Sequence, residues 1–183
     1  AETDGLFRAA RAILGATEVA EICQKLTNHF TGLVQADRVL VFLVDHTQEK
    51  VLLSVHNGHI SDDLDTTYQE LRSGISGKVF EAGQPVLSRS ADDGIEPPET
   101  AEKRRRAGTG SVIVVPLKTK DQVIGTVTAI NRIDQRQFEQ HDVDLLMSLA
   151  TQAATAIEGA HMYQAEQERR QVAEILVQAG RKL

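Results

Sequence analysis

Tryptophan is absent from this 183-residue chain, cysteine occurs once, and aromatic residues make up only 4%. One thiol cannot close an internal disulfide, so the fold must rest on apolar burial, and a reducing, cytoplasmic setting is expected. No apolar run approaches the roughly 18 residues of a membrane span, and the start lacks the charged-then-apolar pattern of a secretory leader. Basic residues are in the minority: 20 Lys and Arg against 26 Asp and Glu leave a formal net charge of −6. A nucleic-acid binder needs a basic face, and this balance argues against one. The chain begins at Ala1 without Met. It reads as an excised fragment or processed chain, with whatever it regulates expected outside these residues.

What is present suits one globular domain with an appended helix, large enough to bury a core without disulfides or metals. Leu6, Ala10 and Ile13 recur at helical spacing. After Gly15, a second stripe follows through Val19, Ile22, Leu26, Phe30 and Leu33, with Thr17 placed as N-cap. Cys23 lies at the edge of that stripe with no basic neighbour to lower its pKa, which predicts a buried structural thiol. The unbroken apolar run Val39 to Val44 predicts a strand covered on both faces. A polar turn over 45–50 and the alternation of Val51, Leu53 and Val55 complete a hairpin.

Residues 58–67 read as a polar loop. Ser73-Gly74-Ile75-Ser76-Gly77 leads into a short helix that Gly83 should end, and a short strand follows at Pro85–Ser88. The polar stretch from Arg89 to Gly110 is long for a loop in a compact domain, a length often tied to function. Its charged block 102–106 reads at minimum as a solvated turn of helix. Ser111–Leu117 and Val123–Ile130 are two strong strands, and everything beyond Arg136 is compatible with helix. Two hairpins at opposite ends of this order require an antiparallel sheet with helices packed on one face, which is an α+β fold.

Three segments in this order carry a family resemblance. Ile75-Ser76-Gly77-Lys78-Val79-Phe80-Glu81-Ala82-Gly83-Gln84-Pro85-Val86 resembles the short helix and following strand of a GAF domain. Ser111 to Leu117 followed by Val123 to Val127 resembles its central hairpin, and Phe138, Asp142 and Leu145 to Ala150 its last helix. The resemblance divides the chain into an N-terminal helix (1–16), a GAF domain (17–160) and a C-terminal signalling or coiled-coil extension (161–183). It implies a GAF/PAS-like curved antiparallel sheet with helices on one face. A small-molecule pocket is implied on the other, capped by the short helix near Ile75 and by the loop after Ser88. Ser73, Gly74, Ile75, Ser76, Gly77, Ser88 and Ile113 are the expected ligand-binding residues. The amides around Gly74 and Gly77, with the hydroxyls of Ser73 and Ser76, would suit an anion.

Asn131, Arg132, Phe138 and Asp142 resemble the Asn-Lys…Phe-x-x-x-Asp-Glu signature of GAF domains from cyclic-nucleotide phosphodiesterases and some adenylyl cyclases. Arg132 replaces the usual Lys and Val143 the usual Glu. A cyclic nucleotide is therefore one candidate ligand, with an Arg132–Asp142 pair as a structural lock near the pocket. The same residues also read as an ordinary helix start: Phe138 and Val143 as a hydrophobic staple, Asp142 as the third helical residue receiving free N–H groups. A covalent bilin is disfavoured, because Cys23 lies on the second helix and is followed by Gln24 rather than His. Haem is disfavoured because His46, His56 and His59 fall in turn and loop, where exposed rings are expected. His56-x-x-His59 with Asp62 and Asp63 lacks fixed geometry and is rejected as a metal site.

Some small GAF proteins reduce free methionine sulfoxide with several cysteines, and one thiol cannot form the disulfide that resolves that cycle. Nucleophile-elbow, Walker and dinucleotide fingerprints are missing, and His161 does not sit in a kinase phosphoacceptor box. A regulatory module is expected rather than an enzyme. A helix from Glu139 to Leu183 would span roughly 65–70 Å, against a body about 40 Å across, so its far end must overhang. Leu146, Leu149, Ala153, Ala156, Ala160 and Tyr163, then Val172, Leu176, Ala179 and Leu183, form two stripes offset by a stutter. A parallel homodimer is the expected consequence, the alternative being a helix that lies on its own sheet up to Ala160 and then frays; the dimer would relay to an output domain in the same parent chain, such as a histidine kinase or nucleotide cyclase. Two readings stand: a ligand-binding sensor, or a ligand-free dimerisation and relay scaffold with its pocket collapsed around Phe80, Leu87 and Ile113.

Overall fold

The computed structural model describes Gly5, Leu6, Arg8 and residues 18–61, 66–120 and 122–181. Ala10, Ile13, Thr17, Asp62, Asp63 and Leu183 lie outside the described residues. In chain order the elements are α1 (Val19–Val34), β1 (Arg38–Asp45), β2 (Lys50–His56), β3 (His59–Ile60), α2 (Tyr68–Ser73), α3 (Ile75–Ala82), β4 (Val86–Ser88), α4 (Pro98–Arg106), β5 (Thr109–Lys118), β6 (Val123–Arg132) and α5 (Gln140–Arg181). The strands form one sheet in the order β3-β2-β1-β6-β5-β4, and every neighbouring pair is antiparallel. The α+β class expected from the sequence is the one found.

Alternation along the central strands sorts side chains between two faces, since successive residues of a strand point to opposite sides. Val39, Val41 and Leu43 of β1, Ile113, Val115 and Leu117 of β5, and Val127 and Ala129 of β6 enter the main core. There they meet Ile22, Leu26 and Phe30 of α1 and Leu146, Leu149, Ala153 and Ile157 of α5. On the opposite face, Phe42 and Val44 join Tyr68, Leu71, Phe80 and Val123, while Val112 and Val114 join Ile75 and Val79. The sheet is therefore covered on both sides, which explains the unbroken apolar runs.

Three stretches differ from expectation. The loop over 58–67 contains the two-residue strand β3, paired to the end of β2. Two short helices stand where one was expected. Thr67 opens α2 through a capping box: its Oγ1 accepts the Glu70 N–H at 3.2 Å, and Glu70 Oε2 accepts the Thr67 N–H at 2.8 Å. Gly74, extended at φ −99° and ψ −158°, ends α2 and caps α3. The corner is tight, because a Cβ on Gly77 would stand 1.9 Å from the Arg72 carbonyl oxygen. The third difference is α4, which starts with Pro98 at its first turn inside the long polar stretch.

The last helix, α5, has 42 residues, about 63 Å at 1.5 Å per residue. Its buried residues run from Asp142 to Ala160, so the first of the two predicted stripes is largely spent on the domain's own sheet. Beyond Ala160 the helix leaves the body, with Met162, Tyr163, Val172, Ile175, Leu176 and Val177 exposed. Among the described residues no helix is long and apolar enough to cross a membrane.

Candidate functional site

A cavity of about 360 Å³ lies between the sheet and the segments that cover it. Leu40 and Phe42 of β1, Val112 and Val114 of β5 and Thr128 and Ile130 of β6 line it from the sheet. Leu71 of α2 and Gly74, Ile75 and Ser76 at the start of α3 line it from above, and Glu96, Thr100, Lys103 and Arg104 complete the wall as a lid. Apolar surface from the sheet and Ile75 makes up most of the exposed wall, and polar side chains converge on it from the lid and from Glu70, Thr109 and Thr128.

Arg104 organises the lid. Its side chain is 5% exposed, far below what a lone guanidinium tolerates. Nη1 donates to Ser88 Oγ at 2.7 Å and to Glu96 Oε2 at 2.9 Å. Nη2 donates to the carbonyls of Ser88, at 3.3 Å, and Gly110. Ser88 Oγ in turn donates to Asp93 Oδ2 at 2.7 Å. Burial pushes the Asp93 carboxyl up, but the Ser88 hydroxyl, the Ile95 N–H and the Arg104 charge outweigh it and hold it below the usual carboxylate range. Arg104 thus ties the lid to β4 through Ser88 and to β5 through Gly110, while its ion pair with Glu96 joins two parts of the lid. The Nε–H of Arg104 is buried and has no partner among the described residues. The basic block expected as a bare solvated turn instead contains this buried residue, flanked by exposed Lys103, Arg105 and Arg106.

The residues expected to bind ligand separate in the structure. Gly74, Ile75 and Ser76 line the cavity. Ser73 is exposed, its hydroxyl donating to the Glu70 carbonyl at 2.9 Å. Gly77 is buried at the α2–α3 corner, and Ser88 serves as an acceptor for Arg104. Ile113 belongs to the main core on the other face, because a strand alternates and its neighbours Val112 and Val114 take the cavity side. Leu87 packs against that same main core, whereas Phe80 lies across the sheet, so Phe80, Leu87 and Ile113 do not meet around one pocket. Arg104, Glu96 and Thr128 were missed. Their signal was present only as a charged block in a long loop and an alternating strand.

The start of α5 is a second organised cluster. Arg132 does not reach Asp142; its Nε lies 3.8 Å from Asp37 and 3.6 Å from Asp134. Arg136, four residues nearer in sequence, takes that place. Its Nη2 and Nη1 donate to Asp142 Oδ1 and Oδ2 at 2.7 and 3.0 Å, the bidentate geometry that guanidinium favours. Asp142 Oδ2 also accepts the Glu139 N–H at 2.8 Å, which makes Asp142 the third residue of a capped helix. Phe138 and Val143 are both buried beside it. Burial pushes the Asp142 carboxyl up, yet Arg136, the Glu139 N–H and His141 hold it below the usual range. Asn131 accepts the Asp37 N–H at 2.7 Å and donates to the Arg136 carbonyl at 2.8 Å, and Arg136 Nη2 reaches the Val34 carbonyl at 3.2 Å. The end of β6, the α1–β1 turn and the root of α5 are joined in one network.

The histidines expected to be exposed differ among themselves. His46 is half-buried: its Nε2 donates to the Val123 carbonyl at 2.7 Å, its Nδ1 shares a hydrogen bond with the Tyr68 hydroxyl at 2.8 Å, and its ring meets Phe80 edge-on at 5.0 Å. His56 is half-buried and bonded to Ser54, and only His59 is exposed. None of the three lines the cavity under the lid. Cys23 is buried in the main core, where burial pushes its thiol up to about 12.

The GAF domain family model matches residues 18–157. This chain belongs to the GAF domain family. Its sequence is 23% identical over 157 residues to the nitrogen fixation protein AnfA of Azotobacter vinelandii, covering 84% of this chain and 29% of that protein. With the nitrogen fixation protein VnfA of the same organism it shares 30% identity over 126 residues, covering 66% of this chain and 24% of that one. The chain thus spans less than a third of these relatives. Among solved structures, the GAF domain of an Acinetobacter phosphoenolpyruvate-protein phosphotransferase superposes with a TM-score of 0.67 at 19% identity, covering 87% of this chain and 94% of that one. That likeness is one of fold. Within the GAF fold, the cavity found here lies between the open face of the sheet and its lid.

Proposed function

We propose that this GAF domain is a sensory module that takes a small molecule into the cavity under the lid and passes the event to an output domain in the same parent chain. The carrying observation is Arg104: a buried guanidinium lining an apolar cavity, with its Nε–H unpartnered among the described residues. A ligand with a largely apolar body and one hydrogen-bond acceptor would satisfy that donor, and buried donors are rarely left unsatisfied. The lid would respond because Arg104, which holds it to Ser88 and Gly110 of the sheet, stands in the cavity wall beside its partner Glu96.

The relay would run through α5. Arg136 and Asp142 fix the root of the helix to the end of β6, a strand that also contributes Thr128 and Ile130 to the cavity. The exposed stretch beyond Ala160 would pair with its counterpart in a parallel homodimer, covering Val172, Ile175 and Leu176. Output would then depend on how ligand-dependent lid positions bias the paired helices, which requires different affinities in two states. The one thiol being buried and unpaired suits a cytoplasmic parent protein.

Native followed by denaturing mass spectrometry of the purified chain tests this reading. A two-chain species that releases a defined small molecule on denaturation is expected. A species of protein mass alone, together with a chain that stays monomeric at tens of micromolar, would count against both sensor and relay.

A further inference from the structure

A second cavity, of about 460 Å³, lies outside the first and shares only Thr109 with it. Arg89 and Asp92 from the segment after β4, Arg105 of α4, Ser111 of β5, Arg132 at the end of β6 and Gln137 before α5 all line it. Three guanidinium groups and one carboxylate thus line the cleft, with Glu102 beside Arg105 and Asp37 and Asp134 beside Arg132 just outside its wall. Their partners leave donors to spare. Arg89 is exposed, and no hydrogen bond or ion pair engages it among the described residues. Arg132 has only its long contacts to Asp37 and Asp134. Arg105 is the one well-held member, with Nε and Nη2 on Asp92 Oδ1 at 2.9 and 2.7 Å and Nη1 on Glu102 at 3.1 Å.

Ser111 adds an independent observation. It is 1% exposed and lines the cavity. Its Oγ accepts the Phe138 N–H at 3.1 Å, which leaves the hydroxyl hydrogen without an acceptor among the described residues. A buried hydroxyl short of an acceptor, the unengaged Arg89 and the loosely held Arg132 have the same remedy. A neutral apolar ligand would leave these donors unmet. Planar guanidinium forks match the oxygens of a phosphoryl group, which can accept from several donors at once.

We infer that this cleft binds a small dianionic oxyanion, inorganic phosphate or a phosphomonoester. Asp92 already shows Arg105 holding one anionic oxygen on two N–H groups. An added anion would bridge Arg89 and Arg105, on the lid side, to Arg132, which lies four residues before Arg136 and the root of α5. The inference is independent of what occupies the cavity under the lid.

The test is isothermal titration of the full chain with inorganic phosphate, and separately with glycerol 1-phosphate, at ionic strength held constant with chloride. Arg89→Gln and Arg132→Gln serve as variants, singly and together. Both side chains are exposed, and far-UV circular dichroism and the thermal midpoint without phosphate verify folding. Saturable binding at one site per chain is expected, weakened about tenfold by each substitution and lost in the double variant. The tighter of the two probes then assigns the source as free phosphate or phosphomonoester. Absence of saturable binding to either probe, or equal binding by the wild type and a folded double variant, would overturn the inference.

Discussion

Replacing Asp142 by Ala should cost about 2–3 kcal/mol of folding stability, most of it at the root of α5. The carboxylate closes the helix start on the Glu139 N–H, and losing a cap of this kind costs about 1 kcal/mol. It also leaves Arg136 without its bidentate partner. Breaking a fully buried pair costs about 3–5 kcal/mol, but the Arg136 side chain is 38% exposed and retains the Val34 and Gln137 carbonyls. Solvent screening brings that contribution down to about 1–2 kcal/mol. For a domain of this size the thermal midpoint should fall by roughly 4–12 °C. The loss should also depend on pH. Because the folded carboxyl titrates below its ordinary value, its contribution is fully present above the unfolded value, about 3.9, and disappears as pH falls through the lower folded value. Urea unfolding followed by far-UV circular dichroism, on wild type and variant from pH 7 downward, measures the gap. A gap under about 0.5 kcal/mol at pH 7, or one that stays constant into acid, would refute the reasoning.

Three further outcomes follow from the same geometry. Cys23, with its thiol pushed up to about 12 by burial, should resist a thiol-specific disulfide reagent at pH 8 in the folded chain and react fully in denaturant; rapid modification of folded protein would contradict its placement. Gly77→Ala should destabilise by several kcal/mol, on the order of an overpacked core site, because the new Cβ would meet the Arg72 carbonyl at 1.9 Å; an unchanged midpoint in urea would place the α2–α3 corner elsewhere. Arg104→Met should loosen the lid by leaving Glu96 unpaired and removing the bonds to Ser88 and Gly110, and trypsin should then cleave around Lys103, Arg105 and Arg106 about tenfold or more faster; an unaltered cleavage rate would mean Arg104 does not hold the lid.

The sheet and the main core were legible because their signals are periodic. Val39 to Val44 and Ser111 to Leu117 announced covered strands, and the helical spacing of Ile22, Leu26 and Phe30 matches the stripe that packs on them. The capping role of Asp142 was legible too, being a matter of local spacing. Its cation was not: Arg132 and Arg136 lie on opposite sides of a turn, and only the turn's path brings Arg136 to the carboxylate. Ile113 shows the cost of choosing a strand residue without its phase, since one step along β5 moves a side chain to the other face. Arg104 was hidden for another reason. A run of four basic residues reads as solvated, and burial of one among them depends on Ser88, Glu96 and Gly110 arriving from three other places in the chain. Thr67 and Glu70, by contrast, form a capping box whose spacing is local and readable, though it sits inside a polar stretch.

The central claim is that the cavity under the lid is an occupied site rather than a packing gap, and methyl-resolved NMR tests it most directly. Methyl signals of Ile75, Val112, Val114, Thr128 and Ile130 report the cavity, while Ile113, Val115 and Leu146 report the core on the other face. Titrating the chain with a fractionated pool of small metabolites, cyclic nucleotides included, should shift the cavity set together and leave the core set in place. Arg104→Met should abolish that response. If no fraction moves the cavity methyls, or the two sets move alike, the sensory reading is wrong and the domain serves as a scaffold.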